Sequence, residues 1–124
     1  MRALGIAAWL ALAPMAGAAT FTTNVTITFY CNEGTNCRTC CGRWAPANRC
    51  ASGVRPQRYV TCACNWLPFG SRVSLPGFGE RIVQDRLAAQ YGARIDVFVG
   101  HDKGAHRRAL RLGKRRLTVT VTTP

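Results

Sequence analysis

The feature that most constrains the fold is a series of short runs in which apolar and polar residues alternate. The longest run, Thr20–Tyr30, places Val25, Ile27 and Phe29 on one side and polar residues on the other. Such alternation is typical of a β-strand with one buried face. Comparable runs predict further short strands at residues 59–64, 72–75, 81–84, 94–98 and 117–121.

One segment favours a helix instead. Residues 101–113 begin with Asp102 as a predicted N-cap and end at Gly113, a residue type that commonly follows a helix. The predicted apolar side of this helix comprises Ala105, Ala109, Leu110 and Leu112. Because no βαβ repeat occurs, six or seven short strands with one short helix predict a small, mainly β and mostly antiparallel barrel.

The amino terminus has the pattern of an export signal. Arg2 supplies the positive charge, residues 3–12 are apolar but too few to span a bilayer, and small residues at 16–18 suit cleavage. We therefore expect residues 1–19 to be a signal peptide and residues 20–124 to form a single domain. No second apolar stretch is long enough for a membrane span. The expected location is secreted or periplasmic, associated with the cell wall.

The charge balance points to a polyanionic partner. Seventeen Lys and Arg residues face five Asp and Glu, a formal net charge of +12 that becomes +11 without Arg2. An exported protein of this charge favours acidic cell-wall polymers. We expect no nucleic-acid partner, because no recognisable binding motif with interleaved aromatic residues occurs. The basic cluster at residues 103–116 either solvates its face or helps to hold an acidic polymer, and the sequence leaves both open.

All seven cysteines lie within one short segment of the chain. They are Cys31, Cys37, Cys40, Cys41, Cys50, Cys62 and Cys64. In an exported protein this density predicts disulfide bonds that stabilise a small domain, with a connectivity that the sequence does not fix. A zinc site is the alternative, but the Cys62-x-Cys64 spacing is one residue short of a zinc knuckle, so we expect no metal.

Two aspartates stand out in a chain with so few acidic residues. Asp85 closes one predicted strand and Asp96 lies inside another. Either the two carboxylates pair with neighbouring arginines, or they form a site.

Trp44, in the loop at residues 42–56, is either a hydrophobic plug or a platform on which a sugar stacks.

The order of several short motifs resembles the three-aspartate (3D) domain family. These are Tyr30-Cys31, Cys40-Cys41-Gly42, Ala51-Ser52-Gly53, Leu67-Pro68-Phe69-Gly70, Pro76-Gly77-Phe78-Gly79, Asp85, Gly92, Arg94-Ile95-Asp96, Ala109-Leu110 and Gly113. The family includes the catalytic domain of membrane-bound lytic transglycosylase A and muralytic stationary-phase survival and resuscitation-type proteins.

The resemblance implies a double-psi β-barrel that cleaves the MurNAc–GlcNAc bond of peptidoglycan without water or a cofactor. It places Asp96 at the position of the catalytic aspartate, with Asp85 as its carboxylate partner. The substrate-binding candidates are Arg94, Gly92, Tyr91, Ser52 and Trp44. A non-catalytic module that binds cell-wall glycan is the alternative function, because one fold serves many activities.

The chain departs from the family pattern at four places. Ala63 stands where the family has its first aspartate, Cys50 replaces a threonine, residues 86–88 replace a Thr-Gly-Gly motif, and Tyr91 replaces a lysine. Because the departures at 50 and 63 border the same cleft in this family, we expect a disulfide from Cys50 to Cys62 or Cys64.

Overall fold

The computed structural model describes residues 18–32 and 49–124. The strands and the helix of these residues follow the order that the alternating pattern predicts. They are β1 (Thr20–Tyr30), β2 (Thr61–Cys64), β3 (Arg72–Leu75), β4 (Gly79–Asp85), β5 (Arg94–Phe98), α1 (Ala105–Leu112) and β6 (Arg115–Thr122).

The six strands close into a barrel in the order β1-β5-β2-β4-β3-β6. Two neighbouring pairs, β1–β5 and β2–β4, run parallel, and the remaining pairs run antiparallel. The prediction of a small, mainly β barrel with one helix is therefore confirmed for the described part of the chain. Because the barrel closes on itself, its six strands leave no open sheet edge.

The core fills the barrel with the apolar residues that alternate along each strand. Ile27 of β1, Val83 of β4 and Ile95 of β5 are all fully buried. β2 differs from the other strands because all four of its residues are buried. A strand covered on both faces brings whatever lies beside it into a low-dielectric environment.

The helix is shorter than predicted and begins differently. It starts after Gly104, which has a positive φ of 103° and provides no side-chain cap. Asp102 instead forms a salt bridge with Arg108 at 2.9 Å. Leu110, predicted on the apolar side, is 62% exposed, whereas Ala105 and Ala109 are buried. The prediction was therefore wrong at Asp102 and Leu110, because the helix packs against the core through its alanines and the partly buried Leu112.

The predicted strand at residues 59–64 begins two residues later. The amides of Val60 and Thr61 both donate to the carbonyl of Gln57, at 3.1 and 2.9 Å, and so form a turn. Within this turn Tyr59 has a φ of 71°, which is uncommon for a residue other than glycine. The extended conformation of β2 therefore begins at Thr61, where this turn ends.

Several predictions concern residues outside the described ranges. The predicted signal peptide, Trp44, Cys37, Cys40 and Cys41 fall there, apart from the last two residues of the signal. Within residues 18–32 and 49–124, no helix has the length and apolar character needed to cross a membrane.

The barrel core gives a direct test of the fold. Ile95 is fully buried and lies between Ile27 of β1 and Cys64 of β2. Ile95→Ala should lower the free energy of unfolding in urea by about 2–5 kcal/mol, because it leaves a cavity. Leu110→Ala, at an exposed helical position, should change it by less than about 0.5 kcal/mol. Equal losses from both variants would contradict the assignment of Ile95 to the core.

Candidate active site

Strand register places the two predicted carboxylates in one row across four neighbouring strands. Thr28 of β1 lies opposite Asp96 of β5, and Asp96 lies opposite Ala63 of β2. Ala63 in turn lies opposite Asp85 of β4. Since directly opposed residues of neighbouring strands share a face, these four side chains lie side by side.

An irregularity in the β2–β4 pairing completes the row. Cys62 lies opposite Val83, but the next residue of β2, Ala63, lies opposite Asp85 rather than Gln84. The bypassed Gln84 accepts a hydrogen bond through its side chain from Thr61 at 2.7 Å and through its carbonyl from the Ser52 amide at 3.2 Å. This β-bulge moves Asp85 one position forward, into the row with Asp96, as bulges beside functional sites often do.

Asp96 is a half-buried carboxyl that the fold favours in its neutral form. The Thr28 hydroxyl donates to its Oδ1 at 3.0 Å. Burial raises the pKa of Asp96 to about 7 and the nearby charge of Asp85 adds to the rise, although the Thr28 hydrogen bond and the charge of Arg94 oppose it. A carboxyl with a pKa near neutrality can both donate and accept a proton at physiological pH.

Asp85 has a very different environment, made almost entirely of hydrogen-bond donors. Its Oδ1 accepts from the backbone amides of Ala51 and Arg86, at 2.8 and 2.9 Å. Its Oδ2 accepts from the Tyr30 hydroxyl at 3.2 Å, and the Cys50 thiol also donates to the carboxylate. With donors on both of its oxygens, the Asp85 side chain is held in one orientation beside the row.

The two side-chain donors to Asp85 are held in their protonated forms. Burial, followed by the charge of Asp85, raises the pKa of Tyr30 well above its usual range. The same two causes raise the pKa of Cys50 to about 12. Each group therefore remains a donor throughout the physiological pH range, and neither is a nucleophile there.

The alternative that the aspartates merely pair with arginines does not hold. Among residues 18–32 and 49–124, salt bridges join Arg72 to Glu80 and Arg108 to Asp102. The Arg86 guanidinium donates to the carbonyls of Cys64 and Leu67 instead, at 2.6 and 2.9 Å.

The predicted substrate-binding residues in the described ranges differ in their burial and their contacts. Arg94 is half-buried on the same strand as Asp96, and its guanidinium lies 4.4 Å from the centre of the Tyr91 ring. Gly92 is exposed, with nothing within 4 Å of the place where a Cβ would stand. Ser52 is exposed in the loop that follows Cys50, tied to β4 through its amide.

The predicted disulfide from Cys50 to Cys62 or Cys64 is wrong, because all three are buried free thiols. Cys50 donates to Asp85, and burial raises the pKa of Cys62 and of Cys64. Cys31 is disulfide-bonded. Within the described ranges no cluster of His, Cys, Asp or Glu has the arrangement of a metal site.

The basic cluster at residues 103–116 contains both structural and exposed side chains. Arg108 donates to the carbonyl of Val99, Arg115 to that of Leu112, and Arg116 to the Thr26 hydroxyl. Arg107 and Arg111 are exposed on α1. Only part of this cluster is therefore engaged in holding the fold.

Sequence reasoning missed Thr28, Tyr30 and Cys50 as partners of the carboxylates. The alternation in β1 does place Thr28 and Tyr30 on the polar side of the strand. The role of Thr28 depends on the pairing of β1 with β5, and Tyr30 reaches Asp85 of β4, so each contact joins two distant segments of the chain. A scan against protein-family models and a comparison with curated proteins both give no match for the chain.

The raised pKa of Asp96 makes stability depend on pH in a defined direction. Between a pKa near 4 for the unfolded chain and about 7 for the folded one, the folded protein binds more protons. Its stability therefore falls as pH rises through that window, by up to about 4 kcal/mol. Asp96→Asn keeps the acceptor for Thr28 but cannot ionise, so it should be more stable than wild type at pH 8 and about equal at pH 4.

Asp102→Asn is the matched control, measured by thermal unfolding at the same two pH values. Its hydrogen bond with Arg108 lowers the pKa of Asp102, so this variant should be slightly less stable than wild type at pH 8. Loss of stability at pH 8 in Asp96→Asn would contradict a neutral, buried Asp96.

Proposed function

We propose that the protein is a secreted or periplasmic lytic transglycosylase-like enzyme that cleaves the MurNAc–GlcNAc bond of peptidoglycan. The observation that carries this proposal is the pairing of one near-neutral carboxyl, Asp96, with one donor-saturated carboxylate, Asp85. Ordinary glycoside hydrolysis needs two carboxyl groups that both take part in the chemistry. An intramolecular transglycosylation needs only one.

The proposed reaction uses Asp96 first as an acid and then as a base. The Asp96 proton passes to the glycosidic oxygen as the bond from that oxygen to C1 of MurNAc breaks. The C6 hydroxyl oxygen of the same MurNAc forms a new bond to C1, and its proton passes to the Asp96 carboxylate. The products are a 1,6-anhydro-MurNAc end and a free hydroxyl on the departing sugar, and Asp96 is protonated again.

Asp85 supports this cycle without touching the reacting atoms. Burial is the largest cause of the raised pKa of Asp96, and the negative charge of Asp85 adds to it, so that the acid form is populated near neutral pH. The four donors around Asp85 hold that charge in place. Tyr30 and Cys50 are thus positioning residues for Asp85.

The resemblance to the 3D domain family adds support for this function and for a double-psi β-barrel. A closed six-stranded barrel with two parallel pairs is compatible with that finer fold assignment. The row of opposed residues also gives the departure at Ala63 a defined place, between Asp96 and Asp85. An alanine there removes one carboxylate while leaving the other two in register.

The test is digestion of purified peptidoglycan followed by mass analysis of the products. Wild type should release 1,6-anhydro-muropeptides, and Asp96→Asn should reduce their release by about 10²–10⁴-fold, the usual contribution of a general acid–base group. Glu80→Gln is the matched control, because it removes one carboxylate at an exposed salt bridge on β4 and should leave activity unchanged.

Three outcomes would contradict this function. Equal activity in Asp96→Asn would exclude Asp96 as the acid. Products with reducing MurNAc ends would indicate hydrolysis instead. A wild type that binds sacculi tightly and releases nothing would favour the glycan-binding module.

A further inference from the structure

Arg94 is a half-buried cation with unused hydrogen-bonding capacity. Its guanidinium packs 4.4 Å from the centre of the Tyr91 ring. In the part of the chain that the structure describes, this guanidinium makes no salt bridge, since those present are Arg72–Glu80 and Arg108–Asp102. A guanidinium carries five N–H donors in a planar fork that matches a carboxylate, and stacking on an aromatic ring fixes its plane.

The surroundings of Arg94 leave room for a ligand. Tyr91 is 39% exposed, and the neighbouring Gly92 has nothing within 4 Å of the position of a Cβ. Arg94 and Asp96 are alternate residues of β5, so their side chains share one face, about 7 Å apart along the strand. A group bound by Arg94 would therefore lie beside the bond on which Asp96 acts.

The charges around Asp96 give Arg94 a second role. Asp85, Tyr30 and Cys62 all interact electrostatically with Asp96, and all three are acidic or neutral groups. Arg94 is the cation that acts on Asp96 and it lowers the pKa of that carboxyl. An anion that neutralised Arg94 would remove this effect and favour the protonated acid.

We propose that Arg94 binds a carboxylate carried by the glycan itself, namely the lactyl carboxylate of a muramic acid that has lost its peptide. The inference rests on the proposed function and names peptide-free strands as the preferred substrate. In a strand that still bears peptides, the lactyl carboxyl is a neutral amide, and the first free carboxylate lies further along the peptide. On a peptide-free strand the charged group is attached to the sugar ring, only a few bonds from the cleaved linkage.

Substrate binding and acid strength are thereby coupled. When the lactyl carboxylate pairs with Arg94, Asp96 keeps its proton to a higher pH. Strands with the carboxylate should then be cleaved up to a higher pH. The basic limb of their pH–rate profile should lie at a higher pH than the basic limb for strands whose carboxyl has been made neutral.

The test compares two forms of one ligand, peptide-free glycan strands and the same strands with every lactyl carboxyl converted to a methylamide. Binding is measured by calorimetry with Asp96→Asn, which mimics the protonated acid and leaves the strands uncleaved. The carboxylate strands should bind about 10- to 100-fold more tightly, the range expected for a charged hydrogen-bonded pair. Wild type should show the upward shift of the basic limb with the carboxylate strands.

Arg94→Gln, added to Asp96→Asn, should abolish the difference between the two ligands. Arg72→Gln is the matched control, because it removes the same charge at an exposed site and should leave the difference intact. A preference that survives Arg94→Gln would overturn the proposal in favour of general attraction to the basic surface.

Equal binding of both strands to Asp96→Asn would overturn the proposal without any Arg94 variant, so the test stands even if that variant does not fold. The proposed function fails separately, through the absence of 1,6-anhydro products from wild type on intact peptidoglycan and on both forms of the peptide-free strands. If the carboxylate and methylamide strands both gave anhydro products with the same pH–rate profile, only the inference about Arg94 would be contradicted.

Discussion

The site depends on the position of β5 between β1 and β2. Parallel pairing with β1 brings Thr28 to Asp96, and antiparallel pairing with β2 brings Ala63 to the other side of the same aspartate. The four residues of β2 are buried, so this pairing places the Asp96 carboxyl where water is scarce. Desolvation is accordingly the largest cause of its raised pKa, ahead of every neighbouring charge.

The same strands give two carboxylates opposite characters. Asp96 has a single side-chain donor, Thr28, and a hydrophobic environment, whereas Asp85 has donors on both oxygens. Burial favours the acid form of Asp96, whereas the donors around Asp85 hold that side chain in place. The residue between them, Ala63, carries no charge. The acid form of Asp96 therefore depends on burial more than on the negative charge of neighbouring carboxylates.

The positions of the strands were predictable from the sequence, whereas the starts of α1 and β2 and the contacts between distant segments were not. Alternation along β1 and β5 gave their bounds, and Asp85 and Asp96 stood out because acidic residues are few. The bulge that brings Asp85 opposite Ala63 has no signal in the sequence, because it depends on how β2 meets β4. The departures from the family pattern at positions 50 and 63 similarly favoured a bridge at Cys50, yet its thiol is free and interacts with Asp85.

The central claim is that Asp96 carries a proton near neutral pH in the folded protein. A direct measurement is the titration of side-chain carboxyl carbons by NMR, with Asp96→Asn used to assign the resonance. The account predicts a midpoint for Asp96 at about pH 7. A midpoint near pH 4, the ordinary value for an exposed aspartate, would contradict it.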